Sequence, residues 1–157
     1  MSNFKQKYNT INAVHKVLAH SYSFYFLLLL LGVFLDVVFS LKIFSNPIAM
    51  PVGFIFLILA TIMILWAQKT GRDFRKIAEV KAEHFCRGPY CYTRNPTHWG
   101  LLFMMLGFGI IANAVFVVLF TLIYFFVAKF IFLSKEEKIL AEKYGSPYLE
   151  YKKLVRF

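Results

Sequence analysis

Residues 96–133 read PTHWGLLFMMLGFGIIANAVFVVLFTLIYFFVAKFIFL, an almost unbroken apolar block in the C-terminal half of the chain. A single α-helix over this block would be roughly 57 Å long at about 1.5 Å per residue, whereas the core of a bilayer is about 30 Å thick. The block therefore has to fold back on itself, and Asn113, which follows two nearby glycines, marks the expected break. The sequence predicts a helical hairpin with membrane spans at about 96–112 and 114–133.

Two further apolar stretches precede this block, at about 22–44 and 50–68, and we expect a turn between them from Ser45 to Pro47. The chain has 157 residues, is 59% hydrophobic and has a mean hydropathy of +0.61. A soluble domain of this length does not carry so much apolar surface. We therefore expect one all-α integral membrane domain over residues 1–157, with about four transmembrane helices and a C-terminal helical hairpin.

The formal net charge of +10 comes from basic residues that flank the apolar stretches. They do not form one soluble patch, so we exclude a nucleic-acid partner and favour anionic lipid headgroups of the bilayer. All of them except Lys42 and Lys129 lie in the segments 1–21 and 69–98 and in the tail, residues 134–157. Four spans place all three segments on one side, and the positive-inside rule predicts that this side, with both termini, is cytoplasmic.

Two polar clusters bracket the predicted hairpin: residues 88–100 (GPYCYTRNPTHWG) before it, and Glu136-Glu137 with the segment after it. If the hairpin folds back, Arg94 and the two glutamates become neighbours. Arginine clamps a carboxylate with two hydrogen bonds and glutamate binds an ammonium or ribose hydroxyls, so the set suits a zwitterionic ligand. A simpler interpretation treats Arg94 as a positive-inside flank and the glutamates as a solvated helix end.

Asn95 and Pro96 have the sequence of a helix start, with Asn as the cap and Pro at the first helical position. A ligand role is compatible with this, because the free N–H groups of a helix N-terminus bind anions.

The motif Gly88-Pro-Tyr-x-Tyr-x-Arg-Asn-Pro-x-x-x-Gly100 is followed by the hairpin, by Glu-Glu and by Tyr-Gly-x-x-Tyr-x-Glu-Tyr-Lys-Lys-x-Val155. This order resembles the isoprenylcysteine carboxyl methyltransferase and phospholipid methyltransferase superfamily, over roughly residues 84–157. The resemblance implies an S-adenosylmethionine-dependent methyltransferase, with the cofactor at the cytoplasmic end of the last helices. It also implies a lipophilic or prenylated substrate that enters from the membrane.

The family's Arg-His-Pro motif falls on Arg94, Asn95 and Pro96, so that no imidazole base stands at the second position. The resemblance implies the following cofactor-binding residues: Tyr92, Arg94, Asn95, Pro96, His98, Gly100, Glu136 and Glu137. Gly100 would permit close approach of the cofactor or of a helix. The implied catalytic residues are Arg94, His98 and Glu136.

Methyl transfer requires few catalytic residues, because a sulfonium methyl group is already electrophilic. The protein mainly aligns and desolvates the reactants. A carboxylate or thiolate acceptor needs no base, whereas an amine has to lose a proton, with help from His98 or Glu136. The sequence leaves open carboxyl O-methylation of a lipidic acid and N-methylation of a phospholipid. Two other classes stay open: an NADPH-dependent reductase of the sterol-reductase type, and a non-catalytic membrane protein, which Asn95 favours.

Two cysteines, Cys86 and Cys91, predict no disulfide framework. Together with His84 and His98 they match no trusted zinc spacing, and we expect no metal. Asp36 in the first span is costly in a membrane. It either faces a substrate cavity, pairs with a lysine or is hydrated near the outer end.

Overall fold

The computed structural model of the protein describes residues 2–44, 49–74, 77 and 80–155, and these contain helices, turns and no strand. The seven α-helices of these residues are α1 (Ser2–Phe39), α2 (Met50–Phe74), α3 (Ala82–Phe85), α4 (Pro96–Ile111), α5 (Val115–Val127), α6 (Leu133–Tyr144) and α7 (Ser146–Leu154). A 3₁₀ turn at Gly88–Cys91 precedes α4, and a π-helical turn at Ala128–Phe132 joins α5 to α6. The predicted all-α membrane fold is confirmed.

Three helical segments in the described part of the chain are long and apolar enough to cross a membrane: Ala19–Phe39, Met50–Phe74 and Val115–Tyr144. α4 is a shorter apolar helix. The bounds differ from those expected, because α1 ends before residue 44 and the last helix continues past residue 133. Lys, Glu, Leu and Ala are good helix formers, so the charged start of the tail extends the helix instead of ending it.

The long helices pack in the order α2, α4, α5 and α1, with each helix in contact with the next. The predicted turn at Ser45–Pro47 lies outside the described residues. Residues 41–44, just after α1, run across the turn that joins α4 to α5, where Lys42 forms an isolated bridge with Ala114. The end of the molecule formed by residues 40–44 and 112–114 is called the fold-back end below.

Asn113 makes the hairpin turn, as the sequence predicts. Its φ of 55° lets the chain reverse direction, and its side chain binds the neighbouring loop after α1. The Asn113 Oδ1 atom accepts hydrogen bonds from the N–H groups of Ile43, at 2.8 Å, and Phe44, at 2.9 Å, while Nδ2 donates to the Phe44 carbonyl at 2.9 Å. One side chain therefore ties both loops of the fold-back end together.

Asp36 stabilises the start of α5. Its two carboxylate oxygens accept hydrogen bonds from the backbone N–H groups of Phe116 and Val117, each at 3.0 Å. The first N–H groups of a helix have no partner within the helix, and the N-terminus favours negative charge. Asp36 is thus a helix cap supplied by a neighbouring helix, an arrangement absent from the three alternatives that the sequence suggested.

Small residues bring α2 and α4 into close contact. Gly53, Ala60 and Ala67 are buried on one face of α2 at intervals of seven residues. A Cβ on Gly107 of α4 would lie 2.8 Å from the Gly53 carbonyl oxygen, so this contact requires glycine. Helices in a membrane have no hydrophobic driving force to associate, and close backbone packing stabilises their contact instead. The small residues therefore hold α4 against α2.

Candidate active site

The fold-back brings the residues before α4 next to α6, at the opposite end from Asn113. There Arg94 Nη1 lies 2.9 Å from Glu137 Oε1. Both side chains are largely buried, with exposed fractions of 16% and 14%. The structure therefore brings together two residues that the sequence placed in one site, and it pairs them directly. This region is called the site end below.

A third charge joins this pair from α7. Lys152 Nζ lies 2.8 Å from Glu137 Oε2, so each oxygen of this carboxylate contacts one cation. Sequence reasoning missed this contact. Lys152 stands beside Lys153 in a basic tail, and nothing in the sequence separates the two.

His98 is buried within the first turns of α4, with 5% of its surface exposed. Within the described part of the chain its Nε2 atom has no hydrogen-bond partner. The ring of Tyr22 from α1 is the neighbouring aromatic group, with 6.5 Å between the two ring centroids. An unsatisfied buried nitrogen costs about 1–3 kcal/mol, which makes this atom a candidate for contact with a ligand.

Glu136 has different neighbours from Glu137. It is half-buried and interacts electrostatically with the Tyr22 phenol of α1, whereas the Tyr148 phenol of α7 interacts with both glutamates. The predicted acid pair is therefore divided: Glu137 pairs with Arg94 and Lys152, and Glu136 makes no ion pair within the described residues.

The first helix closes the site end on one side. The Tyr25 hydroxyl donates to the Leu101 carbonyl of α4 at 3.0 Å, and Ser21 Oγ lies 2.7 Å from the Tyr124 hydroxyl of α5. These contacts hold α1 against both arms of the hairpin. They also fix Tyr22, which lies between Ser21 and Tyr25 in sequence, near His98.

The remaining residues implied by the resemblance are spread around this region. Pro96 is the first residue of α4, as expected. The Asn95 side chain makes no capping hydrogen bond, so the predicted side-chain cap is wrong; the Asn95 carbonyl accepts the His98 N–H at 3.1 Å instead. Tyr92 is 76% exposed. Gly100 faces α2, where an added Cβ would lie 2.5 Å from Ile64 Cγ1, so its missing side chain serves helix packing.

A small aromatic core supports the site from the solvent side. Tyr148, Tyr151 and Val155 are buried against a set of partly buried residues: Phe85, Cys86, Leu140, Ala141 and Tyr144. The Tyr151 hydroxyl donates to the Tyr90 carbonyl at 2.7 Å, which joins α7 to the loop before α4. Burial raises the pKa of the Tyr148 and Tyr151 phenols, with nearby Glu137 a further cause for both, so both stay neutral.

Cys86 and Cys91 are joined by a disulfide, which the sequence did not predict. The bond closes a single loop and links no distant elements, so it forms no framework. Gly88 inside this loop has a φ of +55° and packs on α2, where an added Cβ would lie 2.9 Å from Trp66 Nε1. His84 accepts the N–H of Lys81 at 3.0 Å through its Nδ1 atom.

Comparison with known proteins adds one finding to this geometry. A family model described as phospholipid methyltransferase matches residues 48–147, more than half of the chain. The chain belongs to the phospholipid methyltransferase family. No curated protein and no solved structure matches it.

Membership of the phospholipid methyltransferase family indicates a membrane methyltransferase that acts on lipid substrates. It favours methyl transfer over the nicotinamide-dependent reduction that the sequence left open. The matched residues include Arg94, His98 and both glutamates, whereas α1 and most of α7 lie outside them. Tyr22 and Lys152 therefore reach the site from elements that the family match does not cover.

Proposed function

We propose that the protein transfers the methyl group of S-adenosylmethionine to a lipophilic acceptor at the cytoplasmic face of the membrane. One observation carries the proposal: the family match encloses the paired Arg94 and Glu137 beside a buried histidine whose Nε2 atom has no partner among the described residues. Buried charges and unsatisfied nitrogens are costly, and they are typical of sites that bind a polar ligand.

The side chains fit the amino-acid part of this cofactor. Arg94 supplies donors for a carboxylate, and the Glu136 carboxylate supplies acceptors for an ammonium group or for ribose hydroxyls. The backbone N–H groups at the start of α4 add a second favourable place for negative charge. When bound, the cofactor supplies a methyl group on a positively charged sulfur, which is strongly electrophilic.

The length of α4 supports a site within reach of lipids. Its 16 residues span about 24 Å at 1.5 Å per residue, less than the bilayer core of about 30 Å. A helix that is shorter than the bilayer core and is anchored at its far end draws the near headgroup region inward by local thinning. We expect this thinning to bring lipid headgroups to Arg94 and His98.

The chain's own residues align the reactants and exclude water. The aromatic core of α7 covers the site from the solvent side, and α1 covers it from the side of Tyr22. An amine substrate has to lose a proton before it accepts the methyl group, and we propose that His98 Nε2 or Glu136 takes this proton. A phospholipid amine suits these two groups, and a lipidic carboxylate is the second candidate, since it requires no base.

Binding of the cofactor to purified protein tests the proposal. We expect calorimetry in detergent to give a dissociation constant in the micromolar range, roughly −8 kcal/mol. Glu136→Gln should weaken binding at least about tenfold, the loss of one charge-assisted contact. No heat of binding in a folded sample would overturn the methyltransferase proposal.

The acceptor is identified by a labelling experiment. Membranes that contain the protein are supplied with methyl-labelled cofactor, and the lipids are extracted and separated by class. Label that is stable to base and lies on a headgroup indicates N-methylation, and base-labile label indicates an ester. Membranes without the protein serve as the control, and equal labelling in both would assign the activity to another protein.

A further inference from the structure

The two adjacent glutamates have different partners, and we infer that they have different tasks. In this inference, which rests on the proposed function, Lys152 and Glu137 are positioning residues that hold the Arg94 guanidinium, and Glu136 is the acid that contacts the ligand. The sequence motif treats both glutamates alike, so this division comes from the structure alone.

The geometry at Glu137 leaves it little capacity for a ligand. Arg94 occupies one of its oxygens at 2.9 Å and Lys152 occupies the other at 2.8 Å. Its side chain is only 14% exposed. A largely buried carboxylate is stable when it is paired on both oxygens, and removal of one partner leaves an uncompensated charge.

Lys152 also changes the charge that a ligand meets. Arg94 and Glu137 by themselves form a neutral pair, which attracts an anionic group only weakly. With Lys152 the group of three carries a net charge of +1 (two cations and one anion), so the guanidinium keeps an attraction for a carboxylate. Glu136 makes no ion pair within the described residues and interacts electrostatically with the Tyr22 phenol, so it is left to accept hydrogen bonds from an ammonium.

The position of Lys152 is set by α7, whose own anchors are buried. Tyr148 and Tyr151 are each 2% exposed, and the Tyr151 hydroxyl binds the Tyr90 carbonyl in the loop that leads to Arg94. α7 is therefore held both by the loop that carries Arg94 and by the helix that carries Glu137. Because Lys152 lies beyond the matched residues 48–147, the family match by itself does not identify this support.

A matched pair of lysine variants tests the inference. Lys152→Met and Lys153→Met remove the same charge from neighbouring positions of one helix. Both lysines are exposed, and Lys152 is the one that contacts Glu137. Binding of S-adenosylhomocysteine, the demethylated product, is measured by calorimetry. We expect Lys152→Met to weaken binding about tenfold and Lys153→Met to change it less than about twofold, while Lys152→Arg restores most of the affinity.

A double-mutant cycle separates positioning from direct contact. If Lys152 acts through Glu137, the double variant Glu137→Gln/Lys152→Met binds no more weakly than Glu137→Gln alone. Glu136→Gln and Lys152→Met act on separate contacts, so their effects should add. Additive effects of Glu137→Gln and Lys152→Met would overturn the inference, as would equal affinities of the two lysine variants.

Chemical modification of Arg94 gives a readout that requires no ligand. Phenylglyoxal reacts with accessible guanidinium groups, and the modified residue is located by mass spectrometry in intact membranes. We expect Lys152→Met and Glu137→Gln to increase modification of Arg94 relative to the wild type, and Lys153→Met to leave it unchanged. Unchanged modification in all variants would overturn the positioning role, whereas a wild-type protein that binds no cofactor overturns the proposed function itself.

Discussion

The two ends of the hairpin treat polar side chains in opposite ways. At the fold-back end, Asp36 and Asn113 direct their side-chain oxygens to backbone N–H groups, and the chain itself satisfies them. At the site end, Arg94 and Lys152 both contact Glu137, and His98 Nε2 has no hydrogen-bond partner within the described residues. Polar residues at the fold-back end stabilise the fold, whereas at the site end we propose that Arg94 and His98 are available to a ligand.

Arg94→Ala should produce the largest effect and should confine it to the site end. We expect cofactor affinity to fall at least about tenfold, because a charge-assisted contact is lost. The melting temperature should fall less than it does in Asn113→Ala, because Lys152 still pairs with one oxygen of Glu137. Calorimetry and thermal unfolding in detergent measure the two quantities. Arg87→Ala removes an exposed arginine of the preceding loop and serves as the control; equal losses in both variants would contradict a specific role for Arg94.

Asn113→Ala should have the reverse pattern, with an effect on stability. The substitution removes three hydrogen bonds and places Ala at a positive φ, which together should lower the free energy of unfolding by about 2–3 kcal/mol. Asn113→Gly keeps the backbone conformation and should therefore lose less. Unfolding in mixed micelles measures both variants. If neither shifts the transition, the fold-back end does not depend on this side chain.

His98→Phe should produce the smallest change in stability of these variants. Removal of an unsatisfied buried nitrogen should raise the free energy of unfolding by about 1 kcal/mol, while methyl transfer falls. His84→Phe is the control, since the Nδ1 atom of His84 already accepts a hydrogen bond and its loss should bring no gain. A protein that is less stable after His98→Phe and fully active would show that His98 is an ordinary core residue.

Much of the site was predictable because hydrophobic length alone requires the fold-back. An apolar block too long for one span has to reverse, and the reversal brings Arg94 toward the glutamates. The break at Asn113 was predictable for the same reason, since a polar residue that tolerates a positive φ interrupts the block. These predictions depend on local composition, which the sequence shows directly.

The partners of individual polar groups were not predictable. Asp36 caps a helix that begins far along the chain, whereas the sequence suggested a substrate cavity, a lysine partner or hydration. Asn95 looked like a side-chain cap, but its side chain makes no such bond. The sequence allowed Gly100 to contact either the cofactor or a helix. The packing of α2 against Gly100 shows that it contacts a helix.

By itself, the sequence determined an all-α membrane protein, its C-terminal hairpin and the family of its paired motifs, because span length and motif order are properties of neighbouring residues. The tertiary structure alone decided which glutamate pairs with Arg94, which of two lysines supports that pair, and how α1 and α7 complete the site. These contacts depend on the packing of helices that are distant in sequence, and the spacing of residues along the chain does not determine that packing.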